Sequence, residues 1–173
     1  MIHETRLKQA KNNFINYYAE GLIKKEEDYV AKKFFIKNAN ESIRAAQLLF
    51  ENKNFLWTIV CSYYSMFYIA NAALLELGYK VKDKIVHKVT ADALMVLVRP
   101  KLKDELLKDY EEVKDEALEI AKLKSDEIIH NFDYERTKRN KVQYQTTELD
   151  ITKKSKTSLK RAKEFLFELE KLF

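Results

Sequence analysis

Residues 55–77 read Phe55-Leu56-Trp57-Thr58-Ile59-Val60-Cys61-Ser62-Tyr63-Tyr64-Ser65-Met66-Phe67-Tyr68-Ile69-Ala70-Asn71-Ala72-Ala73-Leu74-Leu75-Glu76-Leu77. Trp57, Val60, Cys61, Tyr64, Phe67, Tyr68, Leu74 and Leu75 recur at helical spacing and make more than half the circumference apolar. Such a helix has to be enclosed by others. The stretch therefore predicts an all-α protein with this helix at its centre.

Working outward, each flank supplies helices to surround it. Before it, residues 26 to 52 place Phe35, Ala39, Ile43, Ala46 and Phe50 at steps of four, four, three and four, and Asn52-Lys53-Asn54 makes a polar break. Leu7, Ala10, Phe14 and Tyr17 mark a first helix from Met1 to about Tyr18, ending near Gly21. After it, Gly78 is the stop and Asp83 the expected N-cap of a fourth helix carrying Val86, Val89, Ala93, Val96 and Leu97. Pro100 separates this from a fifth helix over about 101 to 130, with Leu102, Leu106, Tyr110, Val113, Ala117 and Ile120 on one stripe. The pattern weakens from Asn131 to Asp150, and a last helix carries Leu159, Ala162, Leu166, Leu169 and Phe173. Short connections make neighbours antiparallel, so the expected architecture is one domain over 1–173: an up-and-down bundle with a four-helix core and extra helices.

Composition agrees and excludes much else. Two glycines and one proline in 173 residues leave too few turns for a β-sandwich or barrel and no glycine-rich phosphate loop. The lone Cys61 rules out an intrachain disulfide and is expected to be a buried structural thiol in a reducing compartment. No apolar run reaches membrane-spanning length and no secretory leader is legible, so a soluble cytoplasmic protein with no membrane partner is expected.

Charge is unevenly spread. The total of 32 basic and 27 acidic residues gives +5, but Arg136 to Lys163 holds ten Lys and Arg against Glu148 and Asp150, or +8. This window suits a polyanion such as RNA or a nucleotide, or it faces the acids of Glu105 to Glu119.

Candidate chemistry is sparse. His3, His87 and His130 do not form a helical metal pair. Glu127-Ile128-Ile129-His130 fits a carboxylate-histidine motif once, without a second copy, so no metal and no cofactor are expected. Ser65 lacks a nucleophile elbow and reads as a packing residue. Tyr64, Phe67 and Tyr68 share a face, Tyr63 addresses another neighbour, and Asn71 is positioned by sequence to partner a buried phenol. The strongest site candidate is Arg136-Thr137-Lys138-Arg139-Asn140-Lys141-Val142-Gln143-Tyr144. On a helix, Arg136, Asn140 and Tyr144 project together, with Arg139 and Gln143 alongside, combining a guanidinium fork, an amide and a phenol suited to a phosphate and a ribose hydroxyl. A solvated helix end has the same composition.

The aromatic third helix with Tyr63-Tyr64-Ser65-Met66-Phe67, His87 after a glycine-containing loop, and Arg139-Asn140 with Tyr144 before the Ala162 to Leu166 segment together resemble the HEPN domain. The resemblance covers about 35–170 and leaves residues 1–30 as a helical extension. It implies a helical bundle that forms homodimers, metal-independent ribonuclease or nucleotide-binding activity, and pairing as a toxin with a small nucleotidyltransferase-like protein. It assigns the catalytic positions to Arg139, Asn140 and Tyr144, with Arg136, Lys138, Lys141, Gln143 and His87 as candidates for RNA or nucleotide contact. Tyr144 stands where the nuclease members have histidine, and a phenol with an ordinary pKa near 10 is a poor base. Cleavage and binding without cleavage therefore both follow from the resemblance.

Overall fold

The computed structural model describes residues 4–132 and 148–173, with side chains for 4–122 and 150–173. Among the described residues, six α-helices and one small ribbon follow in the order α1 (Glu4–Ala19), β1 (Ile23–Lys25), α2 (Tyr29–Glu51), α3 (Phe55–Glu76), β2 (Tyr79–Val81), α4 (Val86–Ala93), α5 (Asp104–Phe132) and α6 (Glu148–Glu170). The core bundle is α2, α3, α5 and α6, and α3 packs against the other three. Its inner residues Ile59, Tyr63, Met66, Ile69, Ala73 and Leu74 are almost fully enclosed. Trp57, at its start, is exposed. Among the described residues α3 alone is long and apolar enough to cross a bilayer, yet 83% of that stretch is buried within the protein.

Side-chain pairs fix the helix directions. Ser65 donates to the Ala39 carbonyl at 2.9 Å and Lys32 meets Glu76, so α2 and α3 run antiparallel. Lys163 reaches Gln47 and Asn40 reaches Glu170, which sets α6 antiparallel to α2. Arg161 binds Asp109 and Glu112 of α5, while Glu116 lies by Ser158. The order is thus up, down, up, down, as short-range amphipathic pairing requires.

The helix ends obey local chemistry with one exception. Asp28 caps α2 by accepting from the Ala31 amide at 2.8 Å. Gly21 and Gly78 close α1 and α3 with φ of 69° and 80°, a left-handed backbone that glycine adopts without strain. Asp83 does not cap α4. That helix begins at Val86, after Ile85 has taken φ 44°, and the Ile85 carbonyl accepts the first amides, from Lys88 and Val89. A β-branched residue with positive φ is a strained start. Downstream, α4 passes into a π-helical turn over Leu94–Val98 and a 3₁₀ turn over Arg99–Lys101, whose first turn tolerates the missing amide of Pro100, and Pro100 thus divides α4 from α5, which starts at Asp104.

The antiparallel ribbon pairs Ile23 with Val81, Lys24 with Lys80 and Lys25 with Tyr79. It was not expected from the sequence. Its like-charged Lys24–Lys80 pair is offset by carboxylates, since Lys80 binds Glu26 at 2.8 Å and Asp28 at 2.7 Å and Lys24 also meets Glu26.

Candidate functional site

Of the residues singled out in the sequence, Arg136, Lys138, Arg139, Asn140, Lys141, Gln143 and Tyr144 lie outside the described residues, and the side chain of His130 does too. His87 is described. The strained Ile85 starts α4 so that His87, in its first turn, meets α3. The His87 ring lies 4.7 Å from Phe67, 5.5 Å from Tyr63 and 6.0 Å from Tyr64, centroid to centroid. Its Nδ1 is 2.6 Å from the Tyr63 hydroxyl.

This pair joins two titratable groups across α3 and α4. Burial pushes the Tyr63 phenol up, so that it keeps its proton and donates it to Nδ1, which puts the imidazole proton on Nε2. Burial, and then the positive charge of Lys114, hold the His87 pKa below its ordinary value. The imidazole is therefore neutral at pH 7, with its one lone pair, on Nδ1, engaged by Tyr63 and Nε2–H left as a donor. Below Tyr63 packs Tyr110, ring centroids 5.9 Å apart. The Tyr110 hydroxyl is buried without a well-formed hydrogen bond, and burial first, then the nearby Tyr63 phenol, push its pKa up.

Asn71 does not partner a phenol: its amide donates to the Phe67 carbonyl at 2.9 Å and to Thr90 at 3.3 Å. The phenol finds its acceptor 24 residues away instead, on α4. Ser65 is a packing residue, as its bond to Ala39 shows. Cys61 is only half-buried, with burial raising its thiol pKa, so it is mostly protonated and weakly nucleophilic at neutral pH. No cluster of metal-ligating side chains occurs among the described residues.

A cleft of about 460 Å³ opens between α1, α4 and α5, lined by Arg6, Asn13, Lys88, Asp92, Glu111 and Lys114 among others. Asp92 is 2% exposed and gathers Arg6 at 2.7 Å, Asn13 at 2.9 Å and the Tyr17 hydroxyl at 3.1 Å. Arg6 also binds Glu111. Burial and the nearby Asp92 carboxylate push the Tyr17 phenol up to about 12. The carboxylate is satisfied by α1 itself, which makes this a docking joint for that helix.

The basic window divides in two. Six of its ten cations lie on α6 and four, Arg136, Lys138, Arg139 and Lys141, lie between the described parts of α5 and α6. On α6, Arg161 is 2.7 Å from Asp109 and 2.8 Å from Glu112, so at this position the window faces the acidic helix. Lys163 reaches across to the Gln47 amide oxygen, and Lys160 pairs within its own helix with Glu164.

Comparison with known proteins bears on residues 33–172, which match the profile of the HEPN domain. The match runs from α2 to the C-terminal end and leaves α1 and β1 outside it. No curated protein matches the chain significantly.

Proposed function

Because the chain belongs to the HEPN family, we propose that it engages the phosphates of RNA or a nucleotide through Arg139, Asn140 and Tyr144, with Arg136, Lys138, Lys141 and Gln143 contributing around them. The observation that carries this reading is the charge pattern. From Arg136 to Thr147 the sequence holds four cations and no acid, whereas Arg161 in the same basic window is already occupied by carboxylates. A stretch of sequence with cations and no acid of its own suits a polyanion, because binding releases its condensed counterions. The protein partners of this reading are a second copy of the chain and a small nucleotidyltransferase-like protein, in the cytoplasm.

Cleavage is a second reading, of a toxin-type endoribonuclease, and His87 favours it. Tyr144, a phenol, is a poor acceptor for a ribose 2′-hydroxyl proton, whereas the neutral imidazole of His87 serves as the base once the Tyr63 hydroxyl turns away from its Nδ1. The two readings separate when single-stranded RNA is incubated without added metal with wild type, Arg139→Ala and His87→Gln. Salt-sensitive binding without cleavage, weakened in Arg139→Ala, supports the first. Cleavage lost in both variants supports the second. Binding unchanged by Arg139→Ala defeats the phosphate grip.

A further inference from the structure

One stripe of α3 escapes the bundle. Trp57, Cys61, Tyr64 and Tyr68 follow one another at steps of four, three and four, and from Trp57 to Leu75 every other residue of the helix is buried. Ring contacts carry this stripe sideways onto both neighbours. Tyr64 lies 6.0 Å from His87 of α4 and 5.9 Å from Tyr68, and Tyr68 stacks at 6.1 Å on Phe35 of α2. Phe35 identifies the side of α2 that borders the stripe. Asn40 and Gln47 mark the flank turned to α6, and Asn38 and Ser42, three and seven residues beyond Phe35, fall on the opposite flank. Together these residues make a trough floored by α3, walled by α2 on one side and bounded by His87 on the other. From Trp57 to Tyr68 it runs about 16 Å, at 1.5 Å per residue.

The trough combines aromatic faces with uncharged hydrogen-bonding groups. Tyr64 and Tyr68 supply phenol hydroxyls, Asn38 an amide, Ser42 a hydroxyl, and His87 the Nε2–H that its bond to Tyr63 leaves over. None of the floor or wall residues named is a carboxylate, and the charge felt at His87 is the positive one of Lys114, so a phosphodiester strand meets no like charge along the floor. A protein helix laid here would bury the amide and the hydroxyls against aliphatic side chains. The edges of nucleobases bring donors and acceptors to those groups while their faces stack on the rings.

We propose that this trough holds the bases of a single-stranded RNA, stacked on Trp57, Tyr64 and Tyr68. The proposal rests on the RNA reading given above and adds a contact made to bases, where Arg139 contacts phosphate. It is tested with the full chain and two strands of equal length, an ordinary single-stranded RNA and an abasic counterpart that keeps the phosphates and lacks the bases. Trp57 is the one tryptophan of the chain, so its emission reports on the trough. Ordinary RNA should quench that emission and the abasic strand should not. Trp57→Ala, at a position 45% exposed, and Tyr68→Leu, which keeps apolar bulk beside Phe35, should each weaken binding of ordinary RNA by about tenfold. Their salt slopes and their binding of the abasic strand should stay at the wild-type values. Circular dichroism should show both variants folded, and if Tyr68→Leu is not, Trp57→Ala decides. Equal binding of the two strands by wild type, or unchanged RNA binding by Trp57→Ala, overturns the trough and leaves the phosphate grip standing. Emission that shifts with protein concentration before RNA is added assigns the trough to a second copy and overturns the proposal as well. A wild type that binds neither strand overturns both the trough and the RNA reading.

Discussion

Helices α1 and α3 are both packed against the rest of the protein, but different forces hold them. Over its length α3 has a single charged residue, Glu76, and it encloses fifteen of its twenty-two residues. By contrast α1 encloses only Ala10 and Tyr17 and is fastened by the Asp92 joint and by an edge contact between Phe14 and Tyr79, 6.0 Å apart. Burial of apolar surface is non-directional and spread over many atoms. A buried carboxylate concentrates the attachment in one place. The difference is that α1, which lies outside the family match, is fastened at a few points, whereas α3 is enclosed along most of its length.

The largest effect should come from breaking the α3 side. Phe165 is fully buried and packs on Tyr110 at 5.4 Å, so Phe165→Ala should destabilise the whole bundle by about 3–5 kcal/mol. Urea unfolding checks this. A change in one local transition, with the main midpoint unmoved, would show that α6 is not part of a single cooperative core.

Next in size is the α1 joint. Asp92→Ala removes the acceptor of Asn13 and Tyr17 and leaves Arg6 with Glu111 alone. The expected loss is about 2–3 kcal/mol, below that of a fully buried pair because Arg6 is partly solvated. Hydrogen exchange should accelerate over Glu4–Ala19 while α3 amides keep their protection. Equal acceleration in both helices would erase the contrast drawn between them.

The smallest effect concerns His87, where the two kinds of force meet. Its folded-state pKa lies below the unfolded value near 6.5. Below that pH the unfolded chain takes up a proton that the folded imidazole resists, so this residue removes stability as pH falls from about 7 towards 5. His87→Phe should cost about 1 kcal/mol at neutral pH through the lost Tyr63 bond, and should lessen the acid loss. Urea midpoints at two pH values decide it. An unchanged acid slope would mean that the imidazole titrates as it does in the unfolded chain.

What the sequence made legible follows from how far each signal reaches. The periodicity of residues 55–77 marks the central helix because one helix face is a local property. Gly21 and Gly78 mark stops because their positive φ is a local need. The ribbon was not legible: two of the three residues in β1, and the middle one of β2, are or include lysine, so no apolar alternation announces strands this short. Ile85 as the start of α4 ran against capping preference, which favours Asp83. The Tyr63–His87 bond and the Asp92 joint connect residues 24 and 75 to 86 positions apart, and nothing in one helix announces its partner on another. Of the site residues read from the sequence, His87 is the one that the described structure places, on α4 against α3. For Arg136 to Tyr144 the reading stands on residue type, spacing and family.

The phosphate grip at Arg139 is most directly tested by titrating a fluorescent single-stranded RNA with wild type and Arg139→Ala across a series of salt concentrations. Wild type should bind with a dissociation constant that rises steeply with salt, and Arg139→Ala should bind more weakly with a slope shallower by about 0.7, the share of one phosphate contact on a single strand. Identical affinities and identical slopes for the two proteins would contradict it.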